Sequence, residues 1–312
     1  MNKLEANVSL FIITFFAAIQ YVFLIWVPDS VPHFAFLCLT NLIGFLMSLA
    51  FFFGELFRLD LNQVKQSMVL SAELMVFNIF MLIGVSGVGP TMTDALLSTD
   101  FAFISIIIFF LHRQIPDRGT LCGVALVLLG LFLMADANVG ELWNWHVLSL
   151  ILSETAFAFY IISLGQYAGS SNPSIIAMGQ MLFCFLFALV LWAGEAALYG
   201  APFSLPTNVE FWGGVIYVSF FIRALYGIVQ VYAQRYVSPL NTSLIFSTEI
   251  VMTLALSPLL TRLFGTAPER ITPLRVIGSV VIMLGVLMAE PAFVEVVKRG
   301  FAHVRANRSA AG

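Results

Sequence analysis

The sequence predicts an all-α polytopic membrane protein with ten transmembrane helices in two inverted five-helix repeats. Three observations support this prediction: 60% of the 312 residues are apolar, only 10% are charged, and one sequence pattern occurs twice. About 25% of the residues of a soluble domain are charged, so an ordinary soluble fold is excluded. Ten spans would take roughly 200 positions, which leaves no block of about 100 residues for a separate catalytic or nucleotide-binding domain.

The spans are apolar runs between clusters of charged or turn-forming residues. Numbered span one to span ten in chain order, they are predicted at residues 8–27, 34–53, 67–85, 91–111, 120–135, 145–164, 174–191, 211–232, 240–260 and 272–289. No small-residue cleavage site follows span one, so we expect a retained span rather than a signal peptide.

The cationic residues predict the orientation of the spans, because Lys and Arg are poorly translocated. With the N-terminus inside, ten Lys and Arg residues fall on the inner side, and only Arg262, Arg270 and Arg275 fall on the outer side. Residues 291–312 are predicted to form a basic cytoplasmic tail near anionic lipid. The sequence therefore predicts a multi-pass protein of the bacterial inner (plasma) membrane with both termini in the cytoplasm.

An internal repeat defines two halves of the chain. The matching positions lie 149 residues apart and are Val88 and Val237, Pro90 and Pro239, Thr93 and Thr242, Leu96 and Ile245, Ser98 and Ser247, Thr99 and Thr248, and Asp100 and Glu249. A polar turn and a helix with glycines seven residues apart follow each copy, Gly123 and Gly130 in the first half and Gly278 and Gly285 in the second.

Five helices per repeat is an odd number, so the second repeat crosses the membrane in the opposite sense to the first. We predict the first repeat at residues 1–136 and the second at residues 137–290. Inverted repeats are typical of secondary transporters, in which two halves rearrange around a site at the midplane. The alternative is a gene duplication retained for packing alone.

These features together resemble the drug/metabolite transporter superfamily of the EamA type. The likeness is most specific at residues 97–136 and 246–290, where each half has an acidic turn, with Asp117 or Glu269, before its glycine helix. Members of this family move small metabolites, amino acids, amines or drugs, and related branches move nucleotide sugars. The resemblance thus implies transport without naming the solute. Asp100 and Glu249 stand where the family often has a proline soon after a Ser/Thr pair.

Ionisable residues within the spans are the predicted chemical groups, since each costs about 2.5–3.5 kcal/mol at the bilayer centre. They are Glu73, Asp100, Glu154, Arg223 and Glu249. Four acids and one base give a net charge of −3 if all ionise, so at least one carboxyl should hold a proton or face water and a cation. Glu154, Glu249 and Asp100 are the predicted proton-coupling residues. A structural salt bridge or a protonated carboxyl bonded to a neighbouring helix is the alternative for each acid.

Span eight carries a polar stripe at helical spacing, formed by Arg223, Tyr226, Gly227, Gln230 and Gln234. Arg223 would either bind a substrate carboxylate in bidentate fashion or neutralise one of the acids. The predicted substrate-binding residues are Glu73, Arg223, Tyr226, Gln230, Tyr160 and Asn78. For Tyr160 and Asn78, contacts between helices are the alternative role.

The leading hypothesis is a proton-coupled secondary transporter that moves a small polar organic solute, an amine or amino-acid-like metabolite, by alternating access. The alternative is a proton-independent exchanger or uniporter of a larger metabolite such as a nucleotide sugar, which the excess of acid disfavours. An enzyme is not expected, because the spans contain no nucleophile–base pair and no metal-ligand cluster. The expected partners are a small-molecule substrate, protons and membrane lipid, without cofactor, metal or nucleic acid, in a monomer or homodimer.

Overall fold

The computed structural model describes residues 1–24, 27, 31–58, 60–85, 87–88, 90–97, 99–113, 118–135, 143–199, 206–264 and 271–289. In these ranges seven helical segments, at spans one to three and six to nine, are long and apolar enough to cross a membrane, and three shorter apolar segments lie at spans four, five and ten. The prediction of an all-α polytopic membrane protein is therefore confirmed. The predicted tail at 291–312 and the turns with Asp117 and Glu269 lie outside the described residues.

Seven spans are single helices. Spans one, two, three, five, six, seven and ten are Lys3–Leu24, His33–Phe52, Leu61–Val85, Arg118–Met134, Trp145–Ser170, Pro173–Tyr199 and Pro273–Ala289. Some extend beyond the predicted range: span three begins at Leu61 rather than at residue 67, and span six ends at Ser170 rather than at residue 164. The apolar run marks the part of a helix in the hydrocarbon layer, whereas the helix itself continues into the headgroup region.

Large apolar side chains lie on the outside of the helical bundle. Phe110 is 74% exposed, Val190 69% and Ile216 63%. Exposed apolar area of this extent is unfavourable in water and is the surface expected of helices that contact lipid.

Spans four and nine are each divided into two helices, although the sequence predicts them as continuous. Span four consists of Pro90–Leu97 and Asp100–His112. Span nine consists of Pro239–Phe246 and Glu249–Phe264. The two breaks fall at matching positions of the sequence repeat, directly before an acidic residue.

The breaks have the same hydrogen-bond pattern. The Thr99 hydroxyl donates to the carbonyl of Leu96, and the Thr248 hydroxyl donates to the carbonyl of Ile245, each at 2.6 Å. The backbone N–H groups of the two threonines also donate to those same carbonyls, at 3.1 Å. Local bonds of this kind compete with the regular helical ladder, so both helices are interrupted without a proline at the break.

Span eight changes its winding in the middle. It runs as an α-helix at Val209–Tyr217, as a π-helix at Val218–Tyr226 and again as an α-helix at Gly227–Ala233. The π-helical segment contains Arg223 and departs from the regular α-helix expected of a continuous span. Segments of π-helix occur frequently at functional sites.

Spans five and ten form a close antiparallel pair through their glycines. A Cβ atom on Gly278 would lie 2.7 Å from the carbonyl oxygen of Gly130, and one on Gly285 would lie 2.7 Å from that of Gly123. Glycines thus allow the two backbones to touch. The contacts are reciprocal, because the first glycine of each helix faces the second glycine of the other.

Candidate functional site

A cavity of about 110 Å³ lies among spans one to four and six to nine. The cavity is thus large enough to hold several water molecules. Among the described residues, those of spans five and ten do not line it. The glycine pair therefore lies apart from the cavity, as expected for a scaffold.

Eight of the nine predicted site residues line this cavity, namely Asn78, Asp100, Glu154, Tyr160, Arg223, Tyr226, Gln230 and Glu249. Glu73 does not. Its Oε1 atom accepts a hydrogen bond of 2.8 Å from the Ser163 hydroxyl on span six. This bond between spans three and six holds the Glu73 carboxyl outside the lining, so the structure does not support its predicted contact with the solute.

Three carboxyl groups converge on the cavity from spans four, six and nine. The carboxyls of Asp100 and Glu249 both act electrostatically on that of Glu154. Glu154 is only 1% exposed, and neither of its carboxyl oxygens has a hydrogen-bond partner among the described residues. Three negative charges around one cavity would repel one another in a low dielectric, so the arrangement favours a bound proton or cation.

The helix breaks explain how two of these acids reach the cavity. Asp100 and Glu249 are the first residues of the second helices of spans four and nine. The N-terminus of a helix carries a partial positive charge that favours a carboxylate. Asp100 Oδ1 accepts the backbone N–H of Phe101 at 2.7 Å, and the Asp100 carboxyl also interacts with the Ser243 hydroxyl on span nine.

Arg223 is anchored by an amide rather than by an acid. Its Nη2 atom donates to Asn78 Oδ1 at 3.2 Å, and its Nε atom is buried with no hydrogen-bond partner in the described part of the chain. The ion pairs found there join the N-terminal amine to Glu5 and Arg58 to Glu55. The predicted neutralisation of a cavity acid by direct pairing with Arg223 is thus not among the described contacts.

An uncharged hydrogen-bond chain crosses the cavity wall. Gln180 Nε2 donates to the Tyr160 hydroxyl oxygen at 2.9 Å, and that hydroxyl donates to Gln230 Oε1 at 3.3 Å. All three side chains are 1% exposed. The chain joins span seven through span six to span eight.

Aromatic rings form much of the apolar wall. Phe157 lies with its ring centroid 4.8 Å from that of Phe77, 5.7 Å from that of Tyr160 and 6.3 Å from that of Phe246. Phe246 in turn lies 5.3 Å from Tyr226. The ring faces of such residues attract cations, with energies of about 0.5–2 kcal/mol.

Residues 144–289 match the EamA-like transporter family. The match covers 146 of the 312 residues, just under half of the chain, and together with the named relatives it supports a membrane transporter of the EamA type. This finding confirms the resemblance to the drug/metabolite transporter superfamily that the repeat and its two endings indicate. It also points to a transporter rather than an enzyme.

Two transporters and one solved structure show the extent of this similarity. An uncharacterized transporter of Archaeoglobus fulgidus is 23% identical over 265 residues, which cover 83% of this chain and 77% of that protein. The uncharacterized transporter YetK of Bacillus subtilis is 27% identical over 157 residues, which cover 48% of this chain and 46% of YetK. A crystal structure of a protein with 15% identity shares the fold, with a TM-score of 0.66 over 94% of this chain and 97% of the other.

Among the strongly polar residues that line the cavity, sequence reasoning missed three: Gln20, Asn41 and Gln180. The sequence prediction considered the ionisable residues of the spans but, of the neutral amide side chains, only Asn78, Gln230 and Gln234. A buried amide is also unfavourable in hydrocarbon unless it is hydrogen-bonded. A search for every strongly polar side chain inside an apolar run would therefore have found all three.

Proposed function

We propose that this EamA-type transporter is a secondary active transporter that moves a small polar organic solute, an amine or amino-acid-like metabolite, by proton-coupled alternating access. The carboxyl of Glu154 carries the proposal, because it lies buried beside Asp100 and Glu249 in the cavity and both of its oxygens lack described partners. Such a group is stable when it binds either a proton or a cationic solute. Competition between the two for one site couples proton movement to solute movement.

Alternating access in this proposal relies on two inverted repeats, residues 1–136 and 137–290. The matching breaks in spans four and nine support this division, and so do the reciprocal glycine contacts of spans five and ten. Reciprocal contact, in which position i touches j and position j touches i, is expected of two units related by a two-fold axis. Two such halves exchange shapes around a central site.

The charges of the cavity favour the proposed solute class. The three-carboxyl cluster of Asp100, Glu154 and Glu249 would bind an ammonium group, with the aromatic wall alongside it. Arg223, held by Asn78, would bind a carboxylate when the solute carries one. Three acids against one Arg disfavour a nucleotide sugar, whose phosphates need a cationic site.

For the membrane topology, we propose a multi-pass protein of the bacterial inner membrane, a monomer or homodimer with both termini in the cytoplasm. The excess of cationic residues on the inner side supports this orientation. In a cysteine-free background, a cysteine placed at Ser309 should react with a membrane-impermeant maleimide only after the cells are opened. Labelling of intact cells would place the C-terminus outside and contradict the proposed orientation.

Proton flux into liposomes tests the mechanism. Purified protein is reconstituted with a pH-sensitive dye in the lumen, and gradients of alkylamines and neutral amino acids are applied. We expect solute-dependent proton flux from the wild type and none from Glu154→Gln, because glutamine keeps the shape of the side chain but does not exchange a proton. Glu210→Gln is the matched control, since Glu210 is exposed in the first turn of span eight. Solute movement that is the same in Glu154→Gln as in the wild type would reject coupling and favour the exchanger.

A further inference from the structure

The chain formed by Gln180, Tyr160 and Gln230 has two free ends. Gln180 Oε1 and Gln230 Nε2 are buried and have no hydrogen-bond partner among the described residues, and both side chains line the cavity. Buried polar atoms are rarely left unpaired, and an unmet donor or acceptor costs about 1–3 kcal/mol. The acceptor at one end of the chain and the donor at the other are therefore available to bond water or solute.

The direction of this chain follows from the chemistry of a phenol. The Tyr160 hydroxyl has one hydrogen to donate and also accepts, so it is satisfied when one amide offers N–H and the other offers C=O. Reversing both amides reverses the direction of the chain, yet one free donor and one free acceptor still remain. Two amides that both presented oxygen would leave one of these bonds unmade, and two that both presented nitrogen would leave the hydroxyl hydrogen of Tyr160 without an acceptor in the chain. The complementary pair of ends thus does not depend on how each amide nitrogen and oxygen is assigned.

The two free atoms flank the same hydroxyl. Amide bond lengths place each of them within about 6 Å of the Tyr160 oxygen, given contacts of 2.9 and 3.3 Å along the chain. The pair is uncharged, whereas the three-carboxyl cluster and Arg223 supply the charged groups of the cavity. It therefore recognises a different part of a solute from the part that carries its charge.

We infer that Gln180, Tyr160 and Gln230 form a neutral subsite for a carboxamide or ureide group, which offers an N–H beside a C=O. This inference rests on the proposed function and specifies its solute: an amine or amino-acid-like compound that also carries such a group. Water fills the donor and acceptor when the solute is absent. Gln180 contributes to solute binding only through this neutral subsite, because the charged groups of the cavity belong to other residues.

Two amines with the same number of heavy atoms test the subsite. 4-Aminobutanamide carries an ammonium and a carboxamide, and 4-methylpentylamine has an isopropyl group in place of the carboxamide. Their affinities for purified wild type, Gln180→Met and Gln230→Met are measured by calorimetry. The readout is the change in the affinity ratio of the two amines from wild type to variant, which separates the amide contact from general apolar binding.

We expect the ratio to shift against the carboxamide by about tenfold in each variant, the effect of losing one or two hydrogen bonds. Tyr160→Phe should shift it in the same direction, because the amides lose the hydroxyl that orients them. A monodisperse elution profile and a cooperative melting transition show that a variant is folded, and either glutamine variant alone is sufficient. An unchanged ratio in the folded variants would overturn the subsite and leave the proposed function intact. Failure of both amines to bind the wild type would overturn the amine-transport proposal together with the subsite.

Discussion

The helix pairs formed by spans four and nine and by spans five and ten are built in opposite ways. Spans four and nine are each interrupted before an acidic residue, and they bring Asp100 and Glu249 to the cavity. Spans five and ten are uninterrupted, and their glycines place backbone against backbone. Each pair joins counterparts of the sequence repeat, so the duplication alone does not explain the contrast.

The difference shows how one duplicated unit contains both a site and a scaffold. A broken helix exposes a helix end and a carboxyl to the cavity, at the expense of regular hydrogen bonding. A glycine contact maximises dispersion between helices and has no polar group to expose. Substitutions should therefore separate the two pairs: changes in spans four and nine should impair transport in folded protein, and changes in spans five and ten should impair folding.

Among substitutions in these two helix pairs, the largest effect is expected from Asp100→Asn and Glu249→Gln. Each change removes a carboxyl from the three-carboxyl cluster while keeping the side-chain shape. Interactions with a charged group contribute about 1.5–3 kcal/mol, or about 10- to 150-fold in affinity. Proton flux driven by alkylamine gradients in proteoliposomes should fall by that factor, and the melting temperature should stay close to that of the wild type. Full flux in both variants would show that spans four and nine are scaffold as well.

The next effect is expected in the glycine pair. In Gly278→Ala the added Cβ would lie 2.7 Å from the carbonyl oxygen of Gly130, and in Gly285→Ala 2.7 Å from that of Gly123. Overpacking of this kind costs about 1–3 kcal/mol, so both variants should unfold at lower temperature and yield less monodisperse protein. Flux per folded molecule should be retained. Gly194→Ala is the control, because nothing lies within 4 Å of a Cβ at that position.

Gly44 tests whether a glycine beside the cavity behaves like those of the scaffold. A Cβ on Gly44 would lie 2.7 Å from Cβ of Arg223 in the π-helical segment. Gly44→Ala should therefore shift Arg223 and weaken its bond to Asn78, an effect of about 0.5–1.5 kcal/mol. Binding of leucine should weaken severalfold, while binding of 3-methylbutylamine, its decarboxylated analogue, should change less.

Gly54→Ala serves as the control for Gly44→Ala, since a Cβ at residue 54 meets nothing within 4 Å. Equal weakening of leucine and of 3-methylbutylamine would contradict a carboxylate-binding role for Arg223. It would instead assign Gly44 to the packing of spans two and eight alone.

The sequence predicts the cavity acids and the glycine pair better than it predicts the shapes of the helices. Asp100, Glu154 and Glu249 stand out because a charge in an apolar run is unfavourable wherever the helix lies. The breaks before Asp100 and Glu249 depend on threonine hydroxyls bonding backward, which a helical threonine also does without causing a break. The π-helix around Arg223 packs closely against Gly44, a contact between distant parts of the chain that local spacing does not encode.

The smallest effect is expected from the hydroxyls at the breaks. Thr99→Val and Thr248→Val each remove a bond of 2.6 Å to a carbonyl three residues earlier and keep the shape of the side chain. We expect each change to lower the stability by only about 0.5 kcal/mol, because the backbone N–H of the same threonine still donates to that carbonyl.

Proton flux should fall severalfold in both threonine variants, because the interrupted geometry that presents the acids is less favoured. Thr155→Val is the control: its hydroxyl bonds back to Ile151 at 2.9 Å within the unbroken helix of span six, and its removal should leave flux unchanged. Similar losses in Thr99→Val and Thr248→Val would support functionally matched halves. A loss confined to one of them would mean that only that break presents its acid to the cavity during transport, and that the two repeats have diverged in mechanism.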